Sequence, residues 1–105
     1  MTLVMIALLL ISSSAIADEP SQTRQKALTH LLRHDCGSCH GLTRKGGLGS
    51  SLLAKDIADK SDDFLVDTIL NGRKGTAMPP WKAFMTKAEA LWLVQKRLRN
   101  FSKTK

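Results

Sequence analysis

A chain of 105 residues, 43% of them hydrophobic and with a formal net charge of +7, has room for one small domain and not for two. A domain of this size buries only a modest core and often needs a covalent or ligand staple. No nucleic-acid motif accompanies the basic bias, so the charge points to an acidic protein partner drawn in by electrostatic steering.

Residues 3–11 form an unbroken apolar run, followed by Ser12, Ser13 and Ser14. Ala15-Ile16-Ala17 then gives a small-x-small cleavage pattern ahead of Asp18 and Glu19. This pattern predicts a signal peptide over residues 1–17, cut after Ala17, and a mature domain over residues 18–105. The run is too short for a membrane span, which needs about 20 apolar residues. Its start departs from the usual leader in carrying no Lys or Arg. Residues 1–17 are uncharged, so the whole net charge belongs to the mature part.

The mature part reads as helices joined by glycine-rich loops. A first helix is expected from Ser21 or Thr23 to His34, with Ala27, Leu28, Leu31 and Leu32 on one apolar stripe. Gly41, Gly46, Gly47 and Gly49 make the following stretch loop. A short helical turn is expected over residues 52–58. A clearer helix opens at Ser61, with Asp62 and Asp63 at its positive end and Leu65, Ile69 and Leu70 facing inward. Asn71-Gly72 should close it with a left-handed cap. Pro79-Pro80 keeps residues 73–84 in loop. The last helix opens at Thr86, where Glu89 completes a capping box. Leu91, Val94, Leu98 and Phe101 form its stripe, and Trp92 is expected to pack on the first helix. No useful length shows strand-like alternation, so the fold class is all-α.

The chemistry centres on Cys36-Gly37-Ser38-Cys39-His40. Cys-x-x-Cys-His is the attachment signature of c-type haem. Two thiols at this spacing can bond the two vinyl groups of one macrocycle, and the adjoining His is then held under the iron. A disulfide and a thioredoxin-like redox pair are the rival readings of Cys36 and Cys39. The second needs a βαβ context that the chain lacks, and neither gives His40 a role. Met78, in Gly75-Thr76-Ala77-Met78-Pro79-Pro80, is the candidate for the opposite iron ligand. Its thioether is soft and favours ferrous iron, and the prolines stiffen the strap that carries it. Met85 reads as packing, and His30 and His34 as solvated helix residues. Trp81 is left open between a hydrogen bond to a haem propionate and packing at the haem edge. Lys45, Lys74 and Lys82, with Arg44 and Arg73, fall in the two loops beside the motif and the strap. They are a candidate docking patch, against the plainer reading of a solvated face.

With these residues in place, the chain resembles a class I cytochrome c along its whole mature length. Within that class it is most similar to the small cytochrome c-55X, or NirC type, of denitrification gene clusters. The stretches that carry this likeness are residues 36–43 with 45–49, and 70–73 with 75–81. The resemblance implies a small helical fold wrapped around one covalent haem c, with thioethers at Cys36 and Cys39 and iron ligands His40 and Met78. It implies a one-electron carrier, not an enzyme, located in the periplasm. Its implied partner is cytochrome cd1 nitrite reductase, approached through Lys45, Lys74 and Lys82. The alternatives are an electron-delivering role in haem d1 maturation, a donor to another oxidoreductase, or a haem enzyme or sensor with an open iron site. Two positions depart from the class. Ser50 stands where many members have a Pro whose carbonyl accepts the proximal His N–H, although any residue supplies a carbonyl. Lys96 and Arg97 stand where an aromatic is common, leaving Trp92 or Phe101 to take over that packing.

Overall fold

The computed structural model describes residues 19–100. The expected signal peptide and Phe101 lie outside them. All regular structure among the described residues is helical. Helix α1 (Gln22–Leu31) runs through a π-helical turn (Leu32–Cys36) straight into α2 (Gly37–His40). The glycine-rich loop of residues 41–53 leads to α3 (Ala54–Ile57), and a short connection over residues 58–61 leads on to α4 (Asp62–Asn71). A strap of loop then reaches α5 (Lys87–Trp92), which continues as a second π-helical stretch (Leu93–Leu98).

The helix starts follow from their caps. Ser21 Oγ accepts from Arg24 N at 3.2 Å, and Ser61 Oγ accepts from Phe64 N at 3.1 Å. At Thr86 the full capping box forms: Glu89 N donates to Thr86 Oγ1 at 3.1 Å, and Thr86 N donates to Glu89 Oε1 at 2.9 Å. Each such cap is worth about 1 kcal/mol. The first helix outlasts its expected end at His34 because nothing between there and His40 breaks it. It stops at Gly41, whose φ of 89° a side chain would resist.

The core forms where the two long helical runs meet α4. Leu28 and Leu32 from the first, Leu65 and Val66 from α4, and Trp92, Leu93, Val94 and Leu98 from the last are all buried. Leu28, Leu93 and Val94 are sealed off from solvent, and burying each such side chain contributes about 1.5–3 kcal/mol. Trp92 is buried as expected. Where the class commonly has an aromatic, this chain has Arg97, whose guanidinium lies over the Trp92 ring at 4.9 Å and donates to Thr29 Oγ1 of α1 at 3.1 Å. A cationic fork on a long stem thus fills the helix crossing.

Two polar clasps fasten the ends. Arg24 of α1 pairs with Glu89 of α5 and also donates to the Phe84 carbonyl. Arg99 donates to Asp62 Oδ1 at 2.8 Å and to the Ile57 carbonyl at 3.4 Å, and Gln95 donates to Asp62 Oδ2 at 2.9 Å. The bond from Arg24 holds the Glu89 carboxyl below the usual glutamate range, and Gln95 with Arg99 does the same for Asp62. A depressed folded-state value means that the stabilisation is present above the unfolded value and is lost as pH falls through the folded one. Thermal unfolding followed from neutral to acid pH should therefore show a fall in Tm that is shallower in Glu89→Gln than in the parent. Asp62 supplies the part that remains. Equal slopes in the two proteins would contradict the role given to the Arg24–Glu89 pair.

Candidate haem site

Cys36 ends the π-helical turn, while Cys39 and His40 lie in the one turn of α2. Cys36 and Cys39 are not joined to each other, and each is half-buried. Burial, with the Asp35 charge beside it, pushes the Cys36 thiol up to about 11. A disulfide-exchange nucleophile needs the opposite, a thiol lowered toward neutral pH. This disfavours the thioredoxin-like reading of the pair.

The glycine-rich loop folds back over the end of α2. Gly46 N donates to the His40 carbonyl at 2.9 Å and Gly49 N to the Cys39 carbonyl at 2.8 Å, which satisfies carbonyls the helix end leaves open. This brings Ser50 to the imidazole. His40 Nδ1 donates to the Ser50 carbonyl at 2.7 Å. The carbonyl survives the exchange of Pro for Ser, as the chemistry of the backbone requires. With the proton held on Nδ1, the lone pair lies on Nε2, the state in which imidazole binds a metal. The fit is tight on the other side too. A Cβ at Gly49 would sit 2.7 Å from His40 Nδ1 and Cε1, so the ring rests against a bare α-carbon. Residues 36–50 thus fit a covalent haem: two thiols and a single, oriented imidazole on one turn. Leu42 and Leu48 add exposed apolar surface on the loop that cradles the ring.

Met78 is carried by a strap locked to the end of α4. Trp81 N donates to the Ile69 carbonyl at 3.0 Å, Lys82 N to that of Leu70 at 3.2 Å, and Arg73 N to that of Met78 at 3.1 Å. Gly72 is the pivot. Its φ of 68° is positive as expected of the cap, but its ψ of −167° is extended rather than left-handed helical, so the chain leaves the helix directly into the strap. The strap then lies so close that a Cβ on Gly72 would meet the Met78 carbonyl oxygen at 2.6 Å. Met78 is half-buried. Cys36 from the motif and Ile69, Leu70 and Trp81 from the strap side pack on the same core. The structure thus sets both halves of the predicted site on one hydrophobic foundation.

Other candidates are placed plainly. Met85 is in the core. Trp81 packs on the core and against Phe84, with ring centroids 5.6 Å apart. His30 and His34 are exposed, their rings 4.2 Å apart. Lys45, Lys74, Lys82 and Arg73 are exposed. Arg44 is not part of that surface. Its side chain turns inward to donate to the Arg97 carbonyl at 3.2 Å and is buried. Its inward turn was invisible to a charge count, which treats every loop arginine as solvated.

The family described as cytochrome C oxidase, cbb3-type, subunit III, matches residues 23–95. Cytochrome c55X of Paracoccus denitrificans (strain Pd 1222) is 43% identical over 94 residues, covering 90% of this chain and 91% of that protein. Cytochrome c55X of Stutzerimonas stutzeri is 43% identical over 98 residues, 93% of this chain and 87% of its own. The chain belongs to the cytochrome c55X family of c-type cytochromes. A solved c-type cytochrome NirC agrees, with a TM-score of 0.75 and 46% identity over 78% of this chain and 95% of its own. A solved dihydro-heme d1 dehydrogenase NirN in complex with DHE matches with a TM-score of 0.57 at 30% identity, over 68% of this chain but 15% of that one. As a c55X-type cytochrome the chain carries covalently bound haem c and works as an electron carrier, not an enzyme. No helix among the described residues is long and apolar enough to cross a membrane.

The cradle makes a paired prediction. Ser50→Ala keeps the carbonyl and should leave the haem spectrum and reduction potential as they are. Gly49→Ala drives a methyl into the imidazole and should lower the yield of correctly ligated haem about 10- to 100-fold, the usual cost of losing a ligand's supporting bond. Absorption spectra and haem stain of the purified variants read both. A Gly49→Ala protein with parental spectra would contradict the cradle.

Proposed function

We propose that Cys36 and Cys39 would form the two thioethers to one haem c, that His40 and Met78 would ligate its iron, and that the carrier serves cytochrome cd1 nitrite reductase in the periplasm during denitrification. Residues 1–17 would be the export signal, cut after Ala17. The observation that carries the site is the 2.7 Å bond from His40 Nδ1 to the Ser50 carbonyl, which leaves Nε2 to the iron. When bound, the haem supplies a one-electron couple at iron between a reduced protein donor and an oxidised acceptor. His40 stays oriented by its backbone partner in both oxidation states. Met78, braced between Gly72 and the prolines, holds a soft sulfur whose preference for ferrous iron raises the potential. With His40 and Met78 both held by backbone, the two side chains would hold the haem iron from fixed positions and supply a one-electron couple there.

The exposed Lys45, Lys74 and Lys82 offer cations on the loops that adjoin the motif and the strap, a surface suited to an acidic reductase face. The likeness to a solved dihydro-heme d1 dehydrogenase supports a second reading, electron delivery to a haem d1 assembly step. Supplying fully assembled reductase and an alternative donor to a strain lacking this gene separates the two. Restored nitrite reduction by the donor alone argues against maturation.

Met78→Ala tests the closed site. It should lose the long-wavelength ferric band that reports Met–iron bonding and should bind carbon monoxide quickly when ferrous, whereas the parent should not. Unchanged spectra would remove Met78 from the iron. Rapid binding by the parent would favour an open-site enzyme or sensor. Reversing Lys45, Lys74 and Lys82 to Glu should slow reduction of the partner about 10-fold or more at low salt, with the difference shrinking as salt screens the encounter. Equal rates at low salt would contradict the docking surface.

A further inference from the structure

His30 and His34 stand four residues apart on the first helical run, which continues past both without a break. Residues at that spacing are neighbours on one helix face. Leu28 and Leu32 each stand two positions before one of them, on the opposite face, and both are buried in the core. Packing there fixes the roll of the helix, so the two His side chains are turned outward and are exposed. The run is also held at both ends. Arg24 pairs with Glu89 near its start, and at its finish the amides of Gly46 and Gly49 return to the His40 and Cys39 carbonyls.

The two rings meet on this fixed face, with centroids 4.2 Å apart and planes tilted by 40°. Neither imidazole has a hydrogen bond or ion pair to another described residue, so no protein group among them competes for the ring nitrogens. A metal–nitrogen bond of about 2.0–2.1 Å puts the centres of two neighbouring imidazole ligands roughly 4.5–5 Å apart, so a small side-chain rotation turns this pair into a chelate. Imidazole suits divalent copper, nickel and zinc, whereas magnesium and calcium seek oxygen. Among the described residues no further His, Cys, Asp or Glu joins the pair to make a group of three.

We propose that His30 and His34 chelate one divalent transition-metal ion on the outer face of the first helix, apart from the haem motif. The two imidazoles are its protein ligands, and water fills the remaining positions. Because one helix holds both rings, the second nitrogen meets the ion at a high effective concentration once the first has bound. Little ordering is left to be done on binding, since the backbone beneath both rings is already fixed. The site asks nothing of the iron and stands whichever partner the carrier serves.

Calorimetric titration of nickel(II) into the untagged, haem-loaded ferric protein tests it, since the haem there occupies the Cys-x-x-Cys-His motif and leaves it no ion to take. One equivalent should bind, and magnesium(II) should not compete. His30→Ala and His34→Ala should each weaken nickel binding about 100-fold or more, because each leaves a single imidazole. Both variants should keep the parental haem spectra, as the side chains are exposed. A variant that binds nickel as tightly as the parent would overturn the proposal, as would equal competition by magnesium. Should either variant fail to retain haem, nitrogen-15 NMR of the ferrous parent titrated with zinc(II) decides. Joint shifts of the His30 and His34 ring nitrogens support the chelate, and a shift at one of them alone, or at neither, overturns it.

Discussion

The arrangement depends on one constraint, the bond from His40 Nδ1 to the Ser50 carbonyl. It fixes a tautomer, a ring plane and a direction for the free nitrogen at once. The backbone of the glycine-rich loop serves it. Gly46 and Gly49 return their amides to the carbonyls of His40 and Cys39, and the bare α-carbon of Gly49 leaves the ring room to lie flat against the loop. A longer side chain at Gly49 would force either the ring or the loop out of place, and the acceptor would move with it. The loop is therefore a ligand-orienting device built from backbone.

Around that centre, the small domain is tied from three sides. The long first helix delivers the cysteines and His40 from a buried stripe of Leu28 and Leu32. The strap carries Met78 over the end of α4 through Gly72, where two pieces of backbone approach too closely for a side chain. The last helix closes the core with Trp92, Leu93 and Val94 and reaches the other elements through arginines: Arg97 to Thr29, Arg99 to Asp62, and, in return, Arg44 to the Arg97 carbonyl. Long cationic side chains with apolar stems do here what a larger core would do in a bigger protein. The charge that steers a partner and the charge that ties the fold are drawn from the same residue type but lie in different places.

Much of this was legible in the sequence because it is local. Caps at Ser61 and Thr86 announce themselves by spacing, with Ser21 one of two candidates for the first helix, the Cys-x-x-Cys-His run by its chemistry, and the stripe of Leu28, Leu31 and Leu32 by period. The acceptor for His40 was legible only through likeness to a family, since a backbone carbonyl leaves no trace in side-chain identity. Three features escaped. The first helix ran on to His40 because its end is set by Gly41 and not by any breaker near His34. Gly72 kept the expected positive φ but not the expected ψ, because the returning strap dictates that angle. The inward turn of Arg44 depends on a partner more than fifty positions away, in the last helix, and no local pattern encodes such a contact.

The most direct measurement of the central claim is nitrogen-15 NMR of the ferrous holoprotein labelled at histidine. The account predicts that His40 carries its proton on Nδ1, that this proton exchanges slowly with solvent because it is held by the Ser50 carbonyl, and that Nε2 is bound to iron. A His40 ring with Nδ1 unprotonated, or with an Nδ1 proton exchanging as fast as those of exposed His30 and His34, would contradict it.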